Sequence, residues 1–317
     1  MRRPRVKVDA KEEEAYYHCM SRTAGGEWLL GEREKEVLRV QIWKLAEYCG
    51  VEVVTYALMS NHYHVLVKVP KRREVTDKEL LGRYRALHPK LKEVQELALK
   101  AVEADMARGG EVARAWREKQ LRQMFDVSQF NKLLKMRFSI WYNKTHKRYG
   151  TLWSERFKSV LVQSGDALTK MAAYIDGNAM RAKIVQDPKD YRFCGYGEAV
   201  AGHQKARRGL QQVVGGDGME GYRCLVVGML SEAREGKAQA TPELFEEVLR
   251  SGGKLTLSEV LKCRIRYFTD GVILGSKEYV ERTGSRMVAN RQAQPLAPIT
   301  DWGGLHVLSR MRSNLWG

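Results

Sequence analysis

No apolar run in this chain approaches the roughly 20 residues needed to cross a bilayer, so the sequence offers no candidate membrane span. Cysteine is scarce and scattered. Cys19, Cys49, Cys194, Cys224 and Cys263 are odd in number, and no pair has zinc-ligand or redox spacing. They read as reduced, packing thiols, which excludes a disulfide scaffold. No internal repeat or low-complexity tract is present. The basic start, Met1 to Lys7, runs into the charged stretch 9–14 with no apolar segment between them. A secretory signal is therefore not expected, and the default compartment is the cytoplasm. Acidic residues are also in short supply, with 38 Asp and Glu against 55 Lys and Arg, a net charge of +17. Such an excess gains nothing for an enzyme of small neutral substrates. It suits a polyanionic partner, of which nucleic acid is the commonest, although charge alone also fits a merely soluble basic protein.

What is present is enough for a sizeable core: 317 residues, 44% of them hydrophobic. A first strand is expected at 16–22, followed by a helix over Glu32–Cys49 with Leu38, Ile42, Leu45 and Ala46 at helical spacing and Gly50 just beyond. The β-branched run 51–59 and the segment His62–Val69 read as strands joined by the short Ser60-Asn61 turn, hence antiparallel neighbours. Residues 76–120 change character, being highly charged and helical in pattern. An amphipathic helix follows at 128–146, then a strand at 157–163 and a helix at 166–181 with Asp166 as its N-cap.

This order suits an α+β domain over residues 1–200, with helices packed on one face of a mostly antiparallel sheet and a helical insertion at 76–120. The basic, Gly-rich stretch 201–221 reads as a linker, and 222–317 as a mainly helical accessory region. Helices at 257–268 and 276–282, around a Thr269-Asp270-Gly271 turn, suit an ordinary helical hairpin or a DNA-binding helix-turn-helix.

Two groups of residues carry chemistry. Strand side chains alternate, so His62 and His64 share one face while Tyr63, Val65, Val67 and Val69 supply an apolar face. Imidazoles about 7 Å apart along a strand can converge on one divalent ion if a third ligand arrives from elsewhere. Taken alone, an H-x-H pair is more often incidental. On the helix at 166–181, Lys170, Tyr174 and Asn178 form one stripe, with Arg181 near its extension, beside an apolar stripe of Leu168, Met171, Ala172, Ile175 and Ala179. A tyrosine at such a margin commonly just packs there with a wet hydroxyl.

Together these segments resemble the single-tyrosine transposases of the HUH endonuclease superfamily, in particular the branch called REP-associated tyrosine transposases. The resemblance rests on Tyr56-Ala-Leu-Met-Ser-Asn-His-Tyr-His-Val-Leu-Val-Lys-Val69, on Gly150-Thr-Leu-Trp-Ser-Glu-Arg-Phe-Lys158, and on Tyr174-Ile-Asp-Gly-Asn-Ala-Met-Arg-Ala182 followed by Asp187-Pro-Lys-Asp-Tyr191. It spans about 15–199 without the insertion. It implies the HUH, ferredoxin-like fold, with Tyr174 as nucleophile and His62, His64 and Asn178 as ligands of Mg²⁺ or Mn²⁺. The substrate would be single-stranded DNA presented by a hairpin, cut and rejoined through a 5′-phosphotyrosine. Where the family usually places Pro after that asparagine, Ala179 stands here, preceded by Gly177. Arg156, Lys158, Lys170 and Arg181 are candidate DNA contacts, and each is also readable as part of a solvated basic face. The resemblance fits a monomer or a homodimer. Two other readings compete: a non-catalytic nucleic-acid binder that keeps the fold, and a metal-dependent regulator using the C-terminal helices.

Overall fold

The computed structural model describes residues 5–214, 218–231, 271–289, 300–302 and 305–309. Its first three strands are β1 (Ala15–Arg22), β2 (Glu52–Leu58) and β3 (His62–Val69). β3 is paired antiparallel with β2 on one side and β1 on the other. The β2–β3 turn at Ser60-Asn61 follows from a connection too short for anything but a hairpin. β4 (Lys158–Val162) adds antiparallel to β1. Beyond β4, β5 (Gly271–Gly275) runs parallel to it, and β6 (Thr300–Trp302) and β7 (Leu305–Ser309) complete a seven-stranded sheet in the order β2-β3-β1-β4-β5-β7-β6.

Helices cover both faces of this sheet, which widens the expected single helical layer. α1 (Glu32–Cys49) and α5 (Val127–Thr145) lie on the face of Tyr63, Val65 and Val67. Trp43 of α1 meets the Tyr56 ring edge-on at 6.1 Å, and Tyr63 donates its hydroxyl to Asn131 of α5. The opposite face receives α6 (Asp166–Asp176), and the short α7 (Asn178–Arg181) follows directly. Tyr17, Tyr56, Tyr63, Phe130 and Phe138 are fully buried, so large aromatic side chains supply much of the core area.

A bulge in β2 between Val53 and Thr55 adjusts the two faces. Val53 pairs with Val67 and Thr55 with Leu66, so the extra residue turns Thr55 onto the α6 side. There its hydroxyl donates to Asp176 at 2.7 Å.

The insertion folds as α2 (Asp77–Leu87), α3 (Glu93–Met106) and α4 (Glu111–Leu121). It is tied to α1 through Tyr48, whose hydroxyl donates to Gln120, and through the Arg83 guanidinium on the Glu47 carbonyl.

The stretch read as a linker is structured for much of its length. After α8 (Gly195–Val200), α9 (Gln204–Leu210) lies over the outer strand β2 so closely that a Cβ on Gly209 would stand 2.2 Å from the Val53 carbonyl oxygen. α10 (Gly218–Ser231) follows. Among its described residues the C-terminal third adds strands to the expected helices. Gly271-Val-Ile-Leu-Gly275 is a short apolar run buried throughout, rich in β-branched residues, and it forms a strand just ahead of the expected helix at 276–282. The expected helix at 276–282 is present as the start of α11 (Lys277–Ala289). The one expected at 257–268 lies outside the described residues.

Candidate active site

The two halves of the predicted site meet within one chain. His64 is 2% exposed, under the tyrosine helix, and its ring stands edge-on to that of half-buried Tyr174, centroids 6.1 Å apart. His62 lies 5.0 Å from His64 by ring centroids, with the two planes at 86°. Strand alternation puts both imidazoles on one face, and the apolar stripe of α6 explains the rest. Leu168, Met171, Ala172 and Ile175 are buried against the sheet, so the face one step round the helix, which bears Tyr174, comes to the strand that bears the histidines.

Each of the three polar side chains has one of its two polar atoms engaged by a neighbour. Nδ1 of His62 lies 2.7 Å from Oδ1 of Asn61, and Nδ1 of His64 lies 2.8 Å from Nε2 of His18, so in both rings Nε2 is the remaining nitrogen. Burial, reinforced by the charges of Arg22 and Arg181, lowers the His62 pKa to about 4. Burial also pushes His64 well below the usual histidine range, with His18, His62, Arg181 and Arg22 adding to it. Both rings are therefore neutral at pH 7, the form that ligates a metal. The Asn178 amide donates from Nδ2 to the carbonyls of Tyr174 and Ile175, at 3.3 and 3.1 Å, so Oδ1 is the atom of that amide left outside those two bonds. Among the described residues no group of three or more His, Cys, Asp or Glu is arranged to hold a metal. An ion here would draw a ligand from outside those types, and the donor set of two imidazoles and an amide oxygen fits one.

The helix at 166–181 is interrupted at Gly177, where α6 ends and α7 begins, although Gly177 and Arg181 still donate four residues back. Asp166 is the first helical residue and not the N-cap. That position falls to Gly165 at φ +81°, a backbone conformation that favours glycine over a residue with a Cβ. The Asp166 carboxylate instead pairs with Lys170 at 2.6 Å.

The four predicted DNA contacts fare differently. Arg181 stacks its guanidinium 4.1 Å over the Tyr174 ring and donates to the Tyr174 carbonyl. Lys158 stands on β4 opposite Met20, which itself stands opposite His64, so it shares the histidine face two strands away. Lys170 is held by Asp166, and Arg156 is exposed on the loop before β4.

Three further features were not foreseen. Arg22 is exposed on β1 directly opposite His62. His18, on the same strand face as Arg22, is joined to His64. Asp176, with no exposed surface, accepts from Thr55 and Tyr222 at 2.7 Å each and from the Tyr196 amide at 3.1 Å. The period-two pattern of 16–22 carried the first two, since it puts His18, Met20 and Arg22 together. Only the register told which residues they would face.

Residues 11–93 match the family model described as Transposase IS200 like. No curated protein matches the chain. Among solved structures, one of a REP-associated tyrosine transposase bound to a REP hairpin is similar at 13% identity, covering 60% of this chain and 81% of that one, with a TM-score of 0.35. No helix among the described residues is long and apolar enough to cross a membrane. The family match takes in β1, β2 and β3 with both histidines and ends before the tyrosine helix, and over residues 11–93 it bears out the resemblance to IS200-like transposases that the histidine motif carries.

Proposed function

We propose that the chain is a metal-dependent, single-tyrosine DNA strand-transferase that acts on single-stranded DNA presented by a hairpin. The observation that carries this reading is the approach of the Tyr174 and His64 rings to 6.1 Å on the α6 side of a family-matched histidine strand. A phenol beside neutral imidazoles, with a guanidinium over its ring, has little reason to exist as core packing alone.

In this proposal His62, His64 and Asn178 hold Mg²⁺ or Mn²⁺ through Nε2, Nε2 and Oδ1. The ion, when bound, polarises the scissile phosphate and offsets charge developing in the transition state. Tyr174 attacks phosphorus in line, so that a bond forms between its oxygen and the 5′-phosphate as the bond to the 3′-oxygen breaks. The proton lost by the phenol is matched by the one the departing 3′-hydroxyl gains. A phenol, with an ordinary pKa near 10, leaves more readily than an alkyl hydroxyl, so a second 3′-hydroxyl can reverse the step without ATP. Arg181 keeps the Tyr174 ring in one orientation and brings positive charge to the phosphate. Lys158, on the same sheet face, is placed to follow the DNA backbone, with Arg156 and Lys170 at its margins.

The test is incubation of a labelled single-stranded hairpin with Mn²⁺ followed by denaturation. The wild-type chain should give a denaturation-resistant protein–DNA adduct, and Tyr174→Phe should give none. Salt-sensitive binding with no adduct from the wild type would favour a non-catalytic nucleic-acid binder.

A further inference from the structure

His18 belongs to neither half of the predicted site, yet it makes a buried contact with one of the proposed ligands. On β1 it stands opposite Leu66, and Met20 stands opposite His64, so His18 lies one diagonal step from His64 on the same sheet face. Its side chain is 1% exposed. Nε2 of His18 and Nδ1 of His64 are 2.8 Å apart, and the rings are inclined by only 19°, so the N–H of one lies close to the plane of the other's lone pair.

Two imidazole nitrogens 2.8 Å apart share one proton between them, so one ring donates and the other accepts. The direction decides what His64 can do. If His18 donates, the His64 proton sits on Nε2, and that nitrogen has no lone pair for a metal. If His64 donates from Nδ1, its Nε2 is open. His62 gives the precedent within the same site. Its Nδ1 faces the Asn61 side-chain oxygen at 2.7 Å, and an amide oxygen only accepts, so the proton must be on Nδ1 and the lone pair on Nε2.

We infer that His18 is a positioning residue which accepts a hydrogen bond from Nδ1 of His64 and so fixes the tautomer whose Nε2 faces the metal site. The inference rests on the metal-dependent reading proposed above and deepens it. Both strand histidines are then locked in the same tautomer by a neighbour on their outer side, the arrangement by which an outer group orients a ligating imidazole and raises its basicity.

The test combines two measurements on the full chain. Long-range proton–nitrogen correlation spectra of the metal-free, ¹⁵N-histidine-labelled protein read the His64 tautomer, and calorimetry reads Mn²⁺ affinity. The wild type should show His64 protonated on Nδ1. His18→Phe, which fills the space without an acceptor, should lose that preference and weaken Mn²⁺ binding by about 10- to 100-fold. His18→Gln, which keeps an acceptor oxygen, should recover both in part. A His64 proton on Nε2 in the wild type overturns the inference, and that spectrum decides even if His18→Phe fails to fold. Equal Mn²⁺ affinity and an unchanged His64 tautomer in a folded His18→Phe also overturn it. If the tautomer follows His18 as expected but the wild type does not bind Mn²⁺, the positioning role stands and the metal reading falls.

Discussion

At the residue scale, the site is organised around what Tyr174 touches. The Arg181 guanidinium over its ring and the hydrogen bond to its carbonyl come from a residue seven positions later, on the far side of the Gly177 break. Cation–π contacts stabilise by about 0.5–1 kcal/mol when exposed and about 2 kcal/mol or more when desolvated, and Arg181 is half-buried. Arg181→Ala should therefore slow adduct formation on a hairpin substrate by roughly tenfold, equivalent to about 1.4 kcal/mol, while leaving the chain folded. Arg181→Lys should recover little, because an ammonium lacks the planar face that lies over the phenol. Single-turnover rates measured beside thermal unfolding would decide this. A variant as fast as wild type would mean that the stacked cation has no part in placing the nucleophile.

At the scale of elements, Asp176 joins four of them. It lies at the end of α6 and accepts from Thr55 on β2, from the Tyr196 amide on α8 and from Tyr222 on α10. Burial raises its pKa to about 6 from an ordinary 3.8, although all three hydrogen bonds oppose the rise. A folded value above the unfolded one means that the contribution to stability is complete below the unfolded pKa and is lost as pH rises through the folded one. The wild type should therefore lose stability relative to Asp176→Asn between pH 4 and 6, by on the order of 3 kcal/mol. Urea unfolding of both proteins across that range checks it, and a constant difference would show that Asp176 ionises like an exposed carboxyl. A second element-scale test is Gly209→Ala, which drives a methyl group into the Val53 carbonyl. Backbone must move, so a loss of about 1–3 kcal/mol is expected from the same unfolding curves.

Much of this arrangement was legible in the sequence, and the exceptions have physical causes. The helix Glu32–Cys49 and the strand His62–Val69 come straight from periodicity, because each shows one apolar face over its full length. The meeting of His64 and Tyr174 was expected from the resemblance to single-tyrosine transposases, because the two stripes alone do not say that they face one another. The role of His18 depends on which residue stands opposite which across β1 and β3, and periodicity cannot supply register. Thr55 reaches Asp176 only because a bulge reverses its side of the sheet, and nothing in Val53-Val54-Thr55 announces a bulge. Gly271-Val-Ile-Leu-Gly275 is too short for its period to be told apart from that of a helix end.

For the molecule as a whole, the net charge matters less than where it lies. The insertion 76–120 holds ten Lys and Arg against eight Asp and Glu, and residues 5–75 hold twelve against eleven. Residues 121–214, which carry α5, the β4 entry loop and the tyrosine helix, hold seventeen against seven. The cationic excess is therefore concentrated in the segment that bears Tyr174, and the insertion, though highly charged, is close to neutral. If the polyanion follows that segment, counterion release should be traceable to it. Each phosphate neutralised contributes about −0.7 to −0.9 to the slope of log affinity against log salt. Exposed Lys144 and Lys147, at and just beyond the end of α5, serve as the test pair, and exposed Lys78 and Lys100 of the insertion serve as the control. Replacing Lys144 and Lys147 together with Gln should make the slope for a single-stranded hairpin shallower by about 1.4 to 1.8. The same change at Lys78 and Lys100 should leave it unaltered, since the insertion that carries them is close to neutral overall. Fluorescence titrations between 50 and 200 mM salt, roughly the range in which such contacts are strongly screened, would separate the two pairs. Equal effects from both would mean that the DNA samples the net charge of the whole chain and has no defined track past the tyrosine helix.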